Sequence, residues 1–212
     1  YNDGDSGCRP NKVTCTALIN CWRRSERVEA GEEAEKILSM MEKRSGEGDM
    51  EMKPDAFVYA SAIDAWARSS SPDKAARAWN IYQRMKTQYS KGNMDSKPNN
   101  VIVSRHHEDC ANHTFAREKP MCPQISFNIS LQMTSIIKAC GFTQGRKEDK
   151  HKALIVLLEC MGELKSTNII SPTPLTYRSL LNATRALVDD DARRRPISAT
   201  IFETCCRNGQ LD

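Results

Sequence analysis

Pro10, Pro54 and Pro98 stand 44 residues apart, and the residues between them keep one register. Ile19 pairs with Ile63, Trp22 with Trp66, Arg24 with Arg68, Ser25 with Ser69, Ala34 with Ala78, Ile37 with Ile81, Met41 with Met85 and Gly48 with Gly92. A fixed period of about 20 to 50 residues decides architecture before any local pattern does, because each repeat is one supersecondary unit that buries its apolar face only by stacking on a neighbour.

Each unit reads as two helices. In the second unit Phe57, Tyr59, Ala62, Ile63 and Trp66 fall three or four apart, as on one face of a helix. Ser69, Ser70, Ser71 and Pro72 should end that helix, with Ser71 as the next N-cap and Pro72 at the first helical position. Ala75, Ala78, Ile81, Tyr82 and Met85 then mark a second helix, matched by Ala30, Ala34, Ile37, Leu38 and Met41. Further on, Leu131, Ser135, Ile137 and Ala139 match Leu175, Ser179, Leu181 and Ala183, again 44 apart, with Ala153, Val156, Leu157 and Met161 between them. The phase there is displaced. The chain therefore divides into the tail of a preceding repeat (1–11), repeat 1 (12–55), repeat 2 (56–99), an irregular segment (100–130), repeat 3 (131–173) and a terminal partial repeat (174–212). The irregular segment, with Pro120 and Pro123 and no helical period, is an insertion, a repeat lacking part of its length, or non-coding sequence carried into the reading frame.

Composition sets the class. With 39% hydrophobic and 27% charged residues the chain is that of a folded protein rather than a disordered one. The longest apolar stretch, Ala153 to Leu158, is far short of the roughly 20 residues a membrane span needs, so no membrane partner is expected. Tyr1 to Gly7 is neither basic nor apolar and holds no targeting signal. Nine cysteines at irregular spacing do not read as a disulfide framework; Cys15, Cys21, Cys140 and Cys160 read as small buried apolar residues in a reducing compartment. Net charge is −2 over 12–55 and +4 over 56–99, which makes the second unit the best candidate for touching a polyanion.

The strings RPNKVTCTALINCWRRS, KPDAFVYASAIDAWARS and SPTPLTYRSLLNATRAL resemble the pentatricopeptide repeat family, over 12–99 and again over 130–207. The units here are longer than that family's period of about 35 residues. The resemblance implies an all-α fold, a right-handed α-solenoid of stacked helical hairpins (a tetratricopeptide-like superhelix) whose first helices line a groove for single-stranded RNA. It implies base-reading pairs at Thr16 with Asp55, Ala60 with Asn99 and Thr134 with Thr173, the first being a guanine-reading combination, and base-sandwiching residues at Val13, Phe57, Leu131 and Leu175. Short polar side chains suit this task because they offer donors and acceptors to a base edge without filling the groove. It further implies a mitochondrion or plastid, a role in RNA processing or stability, protein partners that supply any catalysis, and no cofactor. As isolated residues, Thr16 and Asp55 also fit a helix-surface hydroxyl and an ordinary N-cap. Trp22 and Trp66 read as packing between repeats.

Sites of chemistry are few. His106, His107, Glu108, Cys110, His113 and Cys122 form the one metal-like cluster, but the deaminase pattern also needs a downstream C-x-x-C, which the chain lacks. No catalytic residue and no metal site are assigned. Asp189, Asp190 and Asp191 read as the turn before the last helix, and Arg193, Arg194 and Arg195 as its solvated start. The rival to RNA binding is a tetratricopeptide-like protein interaction scaffold, against which stand the absent 34-residue period and the Pro followed by Asn or Asp at each boundary.

Overall fold

The computed structural model describes residues 10–25, 27–97, 130–166 and 172–208, with the side chains at 130, 131 and 166 excepted. Among these the protein is all-α. The helices are α1 (Lys12–Arg24), α2 (Ala30–Gly46), α3 (Ala56–Arg68), α4 (Lys74–Ser90), α5 (Ser130–Gly141), α6 (Lys147–Ser166), α7 (Pro174–Leu187) and α8 (Asp191–Arg207).

The 44-residue period holds in the backbone. α1 and α3 start at Lys12 and Ala56 and run 13 residues each; α2 and α4 start at Ala30 and Lys74 and run 17 each. Short 3-10 turns follow at Met50–Met52 and Met94–Ser96. Between helix and turn, Gly48 and Gly92 adopt φ of 101° and 94°, where a side chain would be strained. That conformation lets Asp49 N–H reach Arg44 O and Asn93 N–H reach Gln88 O, each at 3.0 Å, closing the last helical turn. The starts of α5 and α7, and of α6 and α8, are also 44 residues apart.

First helices begin on capping side chains. Asn11 Oδ1 accepts from Thr14 N–H at 3.0 Å, Asp55 Oδ1 from Phe57 and Val58 N–H at 3.1 Å, and Thr173 shares a capping box with Thr176. Each such cap contributes about 1 kcal/mol. The start of α4 differs from the sequence expectation. Ser71 Oγ accepts from Asp73 N–H at 3.3 Å, closing a tight turn, so the helix starts at Lys74 and Pro72 lies before it.

α1 packs on α2 and α3, α2 on α3, α3 on α4 and α5, α4 on α5 and α6, α5 on α6 and α7, and α7 on α6 and α8. First helices thus neighbour one another through the series, and α5 sits against α3 as α3 sits against α1. One continuous core results, in which Leu38, Met41, Tyr59, Ile63, Tyr82, Met85, Ile136 and Ile137 are fully buried. Full burial of each such side chain contributes roughly 1.5–3 kcal/mol.

The contact between the first two units carries a polar network among the described residues. Trp66 of α3 lies over Gly31 of α2 and donates its indole N–H to Glu35 Oε2 at 2.8 Å. Arg84 of α4 reaches Glu35 (3.1 Å), Ser39 (3.0 Å) and both oxygens of Glu42, while Tyr59 donates its hydroxyl to Glu42 at 2.8 Å. Burial and the Glu42 charge push the Tyr59 hydroxyl well above the usual phenol range.

Candidate nucleic-acid interface

The edge of the first helices positions the residues singled out by sequence. Thr16 Oγ1 donates to the Lys12 carbonyl at 2.6 Å, a back-bond within α1, and Lys12 Nζ meets Asp55 Oδ2 at 3.0 Å, which ties the start of α1 to the start of α3. Asp55 uses its other oxygen to cap α3, and a base N–H approaching Oδ2 would take the place of the ammonium. Thr134 and Thr173 also converge. Each hydroxyl meets Thr176 Oγ1, at 3.2 and 3.1 Å, and Thr134 is only 1% exposed between α5 and α7. A base edge reaches this pair through Thr173 alone unless the two helices part. Ala60 is half-buried, and its partner Asn99 lies outside the described residues.

Of the base-sandwiching residues, Val13 is 72% exposed and Leu175 is 46% exposed at the starts of α1 and α7. Phe57 is half-buried at the start of α3, and the Leu131 side chain lies outside the described set. Val13 and Leu175, at the starts of the first and last of the four first helices, face water and are available for stacking on a planar ring.

Sequence reasoning missed the polar row that continues one and two turns further along the same helices. Asp64 is its hub. Arg23 of α1 (3.1 Å) and Arg68 of α3 (2.9 Å) both pair with Asp64 Oδ2, and Ser135 of α5 donates to Oδ1 at 3.5 Å. Asn20 accepts from Arg23 Nε at 3.2 Å and from Ser61 at 3.3 Å. Two guanidinium groups on one carboxylate leave a local excess of positive charge. Lys138 of α5 and Arg185 of α7 extend the row, and Arg178, which the sequence register already places at the reader position of the last unit, adds a third cation; all three are exposed, and no ion pair engages them among the described residues. The signal was present in sequence for part of the row, since Asn20, Asp64 and Lys138 sit four positions after Thr16, Ala60 and Thr134, and Arg23 seven positions after Thr16.

The charge contrast between units resolves differently from the sequence expectation. Cations of the second unit turn inward to neighbours: Arg84 pairs with Glu35 and Glu42, Arg77 with Glu35 at 3.9 Å, and Lys86 with Glu163 at 2.6 Å. Across the contact between units 1 and 2 ion pairs run both ways, Arg84 and Arg77 meeting acids of unit 1 while Arg23 of unit 1 meets Asp64 of unit 2, and Lys86 turns to unit 3. At the start of α8, Arg193, Arg194 and Arg195 pair with the N-cap Asp190 and with Asp191, which offsets two of the three positive charges of that run.

Cys15, Cys140 and Cys160 are buried as expected, with burial raising each thiol, Cys140 to about 12. Cys21 is exposed instead, because its face of α1 has no helix against it among the described residues. The His106 to Cys122 cluster lies outside the described residues; among those described, no group of His, Cys, Asp or Glu is placed to hold a metal ion. No described helix is long and apolar enough to cross a membrane. Comparison with protein-family models, with curated proteins and with solved structures found no match.

Proposed function

We propose that the chain binds single-stranded RNA along the edge formed by α1, α3, α5 and α7, its helix pairs wound into a right-handed α-solenoid of the pentatricopeptide kind. The observation that carries this reading is the tie between the starts of α1 and α3 through Lys12 and Asp55, with Thr16 one turn along α1 and Val13 exposed at its start, continued by the row from Arg23 to Arg185. Bases would stack on the apolar helix starts while phosphates follow the cations. Of the two reader pairs whose residues are both described, Thr16 with Asp55 is the one in which neither side chain is fully buried, so base selectivity rests there. By the same resemblance the protein acts in a mitochondrion or plastid as a non-catalytic scaffold in RNA processing or stability, with protein partners performing the chemistry.

The test is fluorescence anisotropy of the full chain with labelled single-stranded RNA across a salt series. Three phosphate contacts, from Lys138, Arg178 and Arg185, give a slope of log K against log salt of about −2. Changing all three to Gln should flatten it. Binding that ignores salt, or its absence, refutes the RNA reading; salt-insensitive capture of a helical peptide would favour the protein scaffold instead. Asp55→Asn should shift a guanine preference toward adenine, and an unchanged preference would remove Asp55 from base reading.

A further inference from the structure

We propose that the outer face of α1 is a docking surface for one more helix pair of the α1–α2 kind, joined on its N-terminal side, whose second helix seats Trp22 on a glycine and offers its indole N–H a carboxylate four residues on. The 44-residue register supplies the comparison. On α3 the face turned toward the first unit is Val58, Ala62, Ala65 and Trp66, all buried. The same positions on α1 are Thr14, Leu18, Cys21 and Trp22, of which the first three are exposed, Leu18 by 47%, and the last is half-buried. α1 therefore shows water the side that α3 hides.

The occupant follows from the seat of Trp66. A Cβ on Gly31 would stand 2.5 Å from that indole, so nothing larger than glycine fits beneath it, and Glu35 one turn later accepts its N–H at 2.8 Å. Trp22 repeats Trp66 and requires the same seat. A second copy of this chain does not offer one. Counting back seven residues from buried Leu38 gives Gly31, whereas counting back seven from buried Ile201 of α8 gives Arg194, a guanidinium already bonded to Asp191. The sequence ahead of α1 does fit. Gly4 and Asp5 precede Pro10 and Asn11 in the register in which Gly48 and Asp49 precede Pro54 and Asp55, the glycine being the residue that closes a second helix in both described units.

The test inserts a further copy of residues 12–55, with its own tryptophan changed to Phe, between residues 11 and 12 of the full chain labelled with 5-fluorotryptophan. In the unextended chain the fluorine signal of Trp22, assigned by Trp22→Phe, should show a solvent isotope shift that Trp66 lacks. In the extended chain Trp22 should lose that shift, and changing the inserted copy's glycine to arginine should restore it. A Trp22 still open to solvent in the extended chain overturns the proposal, as does an extended chain that loses the Trp66 signature. Concentration-dependent protection of Trp22 in the unextended chain would assign the face to a second copy and overturn it too.

Discussion

Gly31→Ala should destabilise the protein although alanine is the better helix former. The added Cβ would lie 2.5 Å from Trp66 Cδ2 and 2.6 Å from Cε3, against an ordinary contact of at least about 3.4 Å, so the indole must retreat by about 1 Å. Trp66 has little room to do so, being buried and tied to Glu35 by a 2.8 Å hydrogen bond to a charged acceptor. Overpacking of this kind costs about 1–3 kcal/mol, and the helix-propensity gain offsets at most about 1 kcal/mol. A net loss of about 1 kcal/mol lowers the urea midpoint by about 0.5 M at an m-value of about 2 kcal/mol per M, with m unchanged. Gly162→Ala in α6 is the matched control. No heavy atom lies within 4 Å of the added carbon there, so the same chemical change should stabilise by about 0.5–1 kcal/mol and raise the midpoint. If both substitutions raise the midpoint equally, the indole seat is not a tight contact and the reasoning from it fails.

Arg84→Met should lose about 2–4 kcal/mol in urea denaturation, because it leaves Glu35 and Glu42 mostly buried without their shared cation; a loss under about 0.5 kcal/mol would show the network to be solvent-screened. Native alkylation followed by mass spectrometry should label Cys21 and Cys206 quickly and Cys15, Cys140, Cys160 and Cys205 only on unfolding; equal labelling of Cys21 and Cys140 would contradict the packing of α5. Stability should fall as pH rises from 9 toward 12. The Cys140 thiol is raised from 9.0 to about 12 in the folded state, so the unfolded chain ionises first and the contribution present below pH 9 is lost as pH passes through that window. Cys140→Ala should flatten that part of the alkaline limb; an identical limb in both proteins would place the loss elsewhere.

The helices were legible because their apolar residues recur every three or four positions, and the period was legible because Gly48, Gly92 and the proline boundaries mark the same turn each time. The expected readers were legible as positions, but not their surroundings. Nothing local says that Thr134 closes against Thr176, since that contact depends on how α5 meets α7 across 42 residues of sequence. Charge misled for a related reason: a net sum cannot tell a cation facing water from one facing a neighbour's carboxylate, and Arg84 and Lys86 are of the second kind. Cys21 misled because periodicity reports which side of a helix is apolar, not whether a partner covers it.

That last distinction separates two kinds of repeated residue. Ile19 with Ile63, Ala34 with Ala78 and Met41 with Met85 recur because each pair is buried within its own helix pair, where like surroundings demand like side chains. Residues between units answer to a neighbour that changes. Trp66 stands over Gly31, but in the same register the next contact has Cys140 and Ala75, a smaller side chain where the seat carries a methyl group. Arg84 faces two carboxylates, and its counterpart Met40 is a partly exposed thioether. An identical residue at such a position implies an identical neighbour. Trp22 is that residue, and no described helix supplies its glycine and glutamate. The repeat of one tryptophan thus specifies the chemistry of a surface that the rest of the chain leaves open.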